Sequence, residues 1–268
     1  MSIHETFTHM DLEAIRVGRV GKAMNSSFIL YRLGGTLIDT APSNQWKYVR
    51  PFVCQKTVEQ VILTHHHEDH SGNASNIKKL TGITPTAPTI TCDIMKRGFK
   101  IPPWQKMMWG RSPKVTCQPL PDKLVLSNGE PVDAIFTPGH AKDMHCYVLP
   151  ERGWLFSADL YLASHLKMLR SDENAGVLLK SIEAVLQHDF DTIVCPHRGV
   201  VDKGKARLSA KRDFIVEFAT KVQALHREGC SDREITHRLL GKEAGYSVMT
   251  GYNFSKINLV TSCKHIAL

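Results

Sequence analysis

The chain has 268 residues, 42% of them hydrophobic and 22% charged, with a formal net charge of +8. That is enough chain to bury a sizeable core in one large domain, or in a domain with an appendage, and the composition is that of an ordinary globular protein. No stretch approaches the roughly 18 apolar residues of a membrane helix, the start MSIHETFTHMDLEAIRVGRV lacks the apolar segment of a secretion signal, and the seven cysteines are odd in number with no CxxC pair, so a cytoplasmic chain with reduced thiols is expected rather than a membrane protein or a disulfide scaffold.

The first elements are β-rich. SFILYRL (27–33) and TLIDT (36–40) flank Gly34-Gly35 and read as a hairpin. SNQWKYVRPFVC (43–54) reads as a helix capped by Ser43 and disturbed near its end by Pro51. EQVILT (59–64) is a buried strand that runs into His65, and NASNIKKLTG (73–82) is a helix closed by Gly82. Residues 83–123, with seven prolines, are expected to be irregular. Within them PPWQKMMWGR (102–111) carries Trp104 and Trp109 as candidate substrate contacts, against the alternative of a rigid connector that packs its aromatics on the core.

Strands return at KLVL (123–126), PVDAIFT (131–137), HCYVL (145–149), GWLFSAD (153–159) and DTIVCP (191–196), with a helix over GVLLKSIEAVLQHDF (176–190). After Gly199 the pattern becomes helical and amphipathic, with SDREI (231–235) as a capping box. Residues 1–200 are therefore expected to form the main domain, and residues 201–268 a helical extension that packs on or caps the site. There Met249, Tyr252 and Phe254 are candidate apolar lining.

The chemistry is concentrated in THHHEDHSG (64–72). At the end of a strand, alternate side chains share a face, so His65 and His67 project together and His66 points away. Asp69 and His70 follow where the chain turns into the next helix, and Ser71 reads as that helix's cap. Four donors around one cavity at the C-terminal end of a strand suit zinc, iron or manganese. A metal site, unlike a tolerated surface run, requires further ligands at other strand ends. Three candidates satisfy that: His140 after PVDAIFTPG, Asp159 after GWLFSA, and His197 after DTIVCP. His165 and Lys167, in LYLASHLKM, are candidate substrate contacts.

THHHEDHSG, TPGHA, SAD and CPHRG, in that order, resemble the motifs of the metallo-β-lactamase-fold superfamily, over roughly Phe28 to Gly199. The match includes Asp39 in LIDT, an acid common near the site in that family. The resemblance implies an α/β fold, a four-layer αβ/βα sandwich of two mixed β-sheets flanked by helices. It also implies a binuclear centre with two divalent metal ions, zinc first and iron or manganese as alternatives. By the same resemblance His65, His67 and His140 hold one ion, Asp69, His70 and His197 hold the other, and Asp159 bridges them. A hydroxide shared by two such ions, about 3.5–4 Å apart, serves as nucleophile, with Asp69 orienting it.

The resemblance is less informative about substrate. The run HRGVV (197–201) differs from the His-Glu-Tyr that usually follows the last metal histidine in glyoxalase II-type members, which weighs against a glutathione thioester. A small ester, thioester or lactone, possessing an anionic group suited to the positive chain, is the leading expectation. Two other classes are kept: a nuclease or phosphodiesterase, which salt-dependent RNA binding would favour, and a di-iron redox or regulatory protein, which metal without turnover would favour.

Overall fold

A computed structural model describes residues 3–19, 21 and 26–268. Its first sheet follows chain order: β1 (Ile3–His9), β2 (Leu12–Gly18), β3 (Ser27–Leu33), β4 (Thr36–Ile38), β5 (Gln60–Ile62), β6 (Thr86–Ala87) and β7 (Gln118–Pro119). β1 to β4 form an antiparallel meander, and β4 to β7 run parallel. Parallel neighbours need crossovers. These are α1 (Trp46–Cys54), then α2 (Glu68–Ser71) with α3 (Ala74–Thr81), then α4 (Thr89–Arg97) with α5 (Pro103–Trp109).

The second sheet contains β8 (Leu124–Val125), β9 (Pro131–Phe136), β10 (His145–Leu149), β11 (Trp154–Phe156), β13 (Thr192–Cys195) and β14 (Gly199–Val201), in the order β14-β13-β11-β10-β9-β8. Only β11 and β13 are parallel, across α6 (Ala175–Leu186). β12 (Leu169–Arg170) pairs with β15 (Phe254–Ser255) in a separate ribbon. The remaining helices are α7 (Gly204–Arg227), α8 (Asp232–Leu240), α9 (Gly245–Met249) and α10 (Lys256–Cys263).

Alternation along the strands makes the layers. On β3, Ile29, Tyr31 and Leu33 face the second sheet's Tyr147, Leu149, Trp154 and Phe156, while Phe28 and Leu30 face α1 and α3. On β10, Cys146 and Val148 point outward to meet α6, α7 and α10. The central strands β3, β4, β10, β11 and β13 are thus buried on both faces, which is why they read as near-continuous apolar runs. The result is a helix–sheet–sheet–helix sandwich, as the resemblance implies. Leu208, Ile215, Phe218, Val222, Ile235, Leu259 and Val260 share one core with Leu155 and Ile193 of the second sheet, so the extension is integral to that layer.

Several local expectations are corrected. Residues 83–123 are not irregular: they hold α4, α5 and the two short strands β6 and β7. Pro88 precedes α4 as its N-cap and Pro103 opens α5, positions where proline starts helices rather than breaking them. Pro51 lies inside α1, which continues to Cys54. Ser43 caps nothing: it begins a 3-10 turn, and its hydroxyl accepts from the Arg111 amide at 2.8 Å. No helix among the described residues is long and apolar enough to cross a membrane.

Candidate metal centre

The two sheets meet along one edge, and five strand ends deliver side chains there. Asp39 follows β4, His65 and His67 follow β5, His140 follows β9, Asp159 follows β11 and His197 follows β13. Bonds between the sheets keep the ends in register: the Tyr147 hydroxyl donates to Leu63 O at 2.6 Å, the Tyr31 hydroxyl to Cys195 O at 2.8 Å, and the His145 amide to Thr64 O at 3.0 Å.

Two groups of donors result. His65, His67, His140 and Asp159 bring ligand atoms within 4.8 Å of one another, and so do Asp69, His70 and His197; all seven residues are buried. Asp159 lies between the groups. Its Oδ2 is 3.0 Å from His140 Nε2, and its Oδ1 is 3.3 Å from His70 Nε2 and 3.2 Å from His197 Nε2. Asp69 Oδ2 is 3.5 Å from His197 Nε2.

The imidazoles are turned by what they touch behind them. His197 Nδ1 is 3.0 Å from Ser27 O, and a carbonyl only accepts, so Nδ1 holds the proton and Nε2 offers its lone pair to the cavity. His70 Nδ1 meets Asp39 Oδ2 at 2.7 Å, and His140 Nδ1 meets Glu173 Oε1. The Thr64 hydroxyl donates to Asp39 and so accepts from His65 Nδ1 at 3.0 Å. Four Nε2 atoms therefore face inward. His67 presents Nδ1, at 2.9 Å from His65 Nε2 and 3.0 Å from His140 Nε2.

That arrangement is poorly satisfied by protein alone. His70 Nε2 and Asp159 Oδ1 are buried without a hydrogen-bond partner, although buried polar groups are normally paired. Burial, with Arg170 adding to it at His67, pushes His65 and His67 well below their ordinary pKa, which keeps them neutral. Burial also opposes charge on His140, but Asp159 and Glu173 outweigh it and hold that imidazole up at about 9. His70 is raised well above its usual range by Asp39 and Asp159 against the same burial. Converging lone pairs, a shared carboxylate and orphaned donors fit divalent cations of the zinc, iron or manganese type.

The backbone is strained where it delivers these groups. Asp39 (φ 62°) and Ala158 (φ 42°) sit in the left-handed region, at about 1–3 kcal/mol each. Gly139, just before His140, has φ 126°, and a Cβ there would stand 2.6 Å from the Leu178 amide nitrogen. Gly72 likewise lets α2 approach the chain at Ala41–Ser43, where a Cβ would lie 2.6 Å from Ser43 N.

His66 turns away from the cluster, and its Nδ1 meets buried Asp143 at 2.8 Å. Ser71 is not a cap: it ends α2, and its hydroxyl donates back to His66 O at 2.6 Å. Trp109 is buried beside the donor groups, its ring 6.2 Å from that of His197. Trp104 stands edge-on to Phe254 at 5.4 Å, and the Arg170 guanidinium lies 6.0 Å from the Phe254 ring. Arg170 Nη1 reaches within 3.3 Å of His67 Nε2. His165 and Lys167 are not brought to the cluster: both are exposed, and His165 rests on Phe214 of α7. Met249 and Tyr252 are also exposed, so Phe254 alone of the expected lining faces Trp104. Glu173, Arg170 and Asp143 carried no motif, although Asp143, three residues after His140, could have been suspected from proximity.

The chain belongs to the metallo-beta-lactamase superfamily, whose family model matches residues 21–197. It is 32% identical over 134 residues to a hydroxyacylglutathione hydrolase of Rhizobium meliloti, covering 50% of this chain and 45% of that one. It is 27% identical over 128 residues to an atrochrysone carboxyl ACP thioesterase of Aspergillus novofumigatus, covering 47% and 34%. The chain thus spans less than half the length of either relative. Among solved structures, a beta-lactamase domain protein from Burkholderia ambifaria superposes with a TM-score of 0.72 at 15% identity, over 95% of this chain and 87% of that one, a likeness of fold.

Proposed function

We propose that this chain is a metal-dependent hydrolase that holds two divalent ions, zinc in the first instance, and cleaves a small ester or thioester, with a lactone as the cyclic variant of the same chemistry. The observation that carries the proposal is Asp159, set between two groups of inward-facing donors with one carboxylate oxygen directed at each. His65, His67 and His140 would hold one ion, Asp69, His70 and His197 the other, and Asp159 both. Ions held there supply Lewis-acid polarisation of a carbonyl and acidification of water.

The chain's own residues do the rest. Asp69, buried beside His197, accepts a proton at Oδ2 and orients the attacking water. Asp39 and Glu173 keep the His70 and His140 tautomers with Nε2 turned inward. Trp109 excludes water beside His197, and Trp104 with Phe254 offers an apolar face to the acyl or leaving group. Arg170, beside His67, supplies a cation for an anionic substrate group. The thioester reading draws on the two relatives, both of which are named for thioester cleavage. The test is metal analysis of the purified chain beside a panel of aryl esters, acyl thioesters, lactones and a bis-phosphodiester. Two ions per chain with chelator-sensitive turnover of an acyl substrate is the expected result. Turnover of the phosphodiester alone would replace this reading with a nuclease, and two ions without turnover would replace it with a redox or regulatory protein.

A further inference from the structure

The buried stripe of α7 contains one residue of the wrong chemistry. Leu208, Lys211, Ile215, Phe218, Ala219 and Val222 recur at spacings of three and four and face the core, the pattern of an apolar stripe. Lys211 occupies a full core position in it, with 2% of its surface exposed. Burying an ammonium is unfavourable by several kcal/mol unless nearby groups compensate. Here the Lys211 Nζ donates to the Leu160 carbonyl at 2.5 Å. Leu160 ends the one-turn helix Ala158–Leu160, which carries Asp159 and starts from the left-handed Ala158.

We propose that Lys211 is a positioning residue for the metal centre: from the C-terminal extension it clamps the Leu160 carbonyl and so fixes the strained turn that aims Asp159 between the two ion sites. This rests on the metal reading above. The next carbonyl is tied as well: Cys195 Sγ donates to Tyr161 O at 3.1 Å, and the same sulfur accepts from the amides of His197 and Arg198 at 3.5 and 3.3 Å. The Asp159 turn and the His197 turn are therefore braced from one side, by Cys195 between them and by Lys211 behind. Asp159 and Glu173 attract the ammonium through the core and offset part of its desolvation. A lysine that served only to fill space would be better replaced by an apolar chain. Lys211 instead ties α7 to the one carboxylate shared by both donor groups.

The experiment is zinc competition against a chromophoric chelator for the full chain and its Lys211→Met and Lys211→Arg variants, with thermal melts of the chelated proteins alongside. Methionine keeps the length and the packing but removes the donor. The expected result is about tenfold weaker binding of at least one zinc ion in Lys211→Met, the lower end of what outer partners of ligands contribute. The chelated variant should melt no lower than the chelated parent, and Lys211→Arg, which keeps a cationic donor, should recover part of the affinity. Unchanged affinity in Lys211→Met overturns the proposal. So does a parallel loss of zinc binding and of chelated-state stability, or failure of both variants to fold, because the lysine would then support the fold as a whole. If the parent chain itself binds no zinc, iron or manganese, the metal reading fails first and independently of the variants.

Discussion

Glu173→Gln isolates the contribution of a carboxylate that touches no candidate ion site directly. The substitution keeps one oxygen, which can still accept from His140 Nδ1, but it removes the charge and turns an NH2 towards the Arg170 amide, which donates to Glu173 Oε2 at 2.8 Å in the parent. Two effects then oppose each other. The neutral amide makes His140 a weaker ligand, by about 10–100-fold in metal affinity, or about 1.4–2.7 kcal/mol. It also lets the His140 pKa fall from about 9, so that less proton must be displaced when an ion binds near neutrality. The sign follows directly. Below the folded pKa the proton competes with the ion, so the parent's affinity rises with pH until about 9, whereas the variant's rise ends earlier. The deficit should therefore be about tenfold or more at about pH 9.5 and smaller at about pH 7. Zinc competition against a chelator at both pH values measures it, with melts of the chelated proteins as a control for folding. Equal affinity of parent and variant at the higher pH would refute the argument that Glu173 governs His140.

His67→Ala should lower metal content and abolish turnover, whereas His66→Ala, which loses the contact to Asp143 and the packing on Phe99, should leave metal stoichiometry intact; comparable metal loss in both would mean that His66 faces the ions. Asp159→Asn removes the one anion shared by the donor groups and should reduce bound metal from two ions to one or none, read by elemental analysis of the folded variant; retention of two ions and full rate would remove Asp159 from the bridging role. Lys211 is held down to about 8 from 10.5 by burial. Between those values the unfolded chain binds a proton that the folded chain does not, so its presence makes stability rise with pH, by up to about 3 kcal/mol over the window. In denaturant titrations of the chelated proteins the stability of the parent relative to Lys211→Met should therefore rise from about pH 8 to about pH 10.5, and parallel curves would place the lysine's charge in solvent. Phe254→Ala should raise KM for an acyl substrate with little change in kcat, by opening the face shared with Trp104; a fall in kcat with unchanged KM would instead put the ring against the reacting atoms.

Legibility followed the range of the interaction. The strand ends were readable because a candidate ligand directly after a buried apolar run leaves few places for the side chain to go: Asp39, His65, His140, Asp159 and His197 all lie beside the seam between the sheets. The four layers were legible from alternation alone on β3 and β10 only in part, since both faces of these strands are apolar; the family motifs supplied the pairing of sheets. Proline misled at residues 83–123, because it marks both broken chain and the first turn of a helix, and at Pro88 and Pro103 the second meaning applied. His165 and Lys167 looked eligible by nearness in sequence to Asp159, yet the chain after the Asp159 turn leads outward towards α7, where His165 meets Phe214.

By itself, the sequence pointed to the class of chemistry, since imidazole and carboxylate groups recur in order after successive strands, and it located the capping box of Ser231 and Glu234 at the start of α8. Only the tertiary structure decided which partners stand behind the ligands. Glu173 behind His140, Asp39 behind His70, Ser27 O behind His197 and Lys211 behind the Asp159 turn come from elements separated by tens to hundreds of residues. Their pairing depends on how two sheets and a C-terminal helix pack, and packing at that distance leaves no periodicity or spacing in the chain.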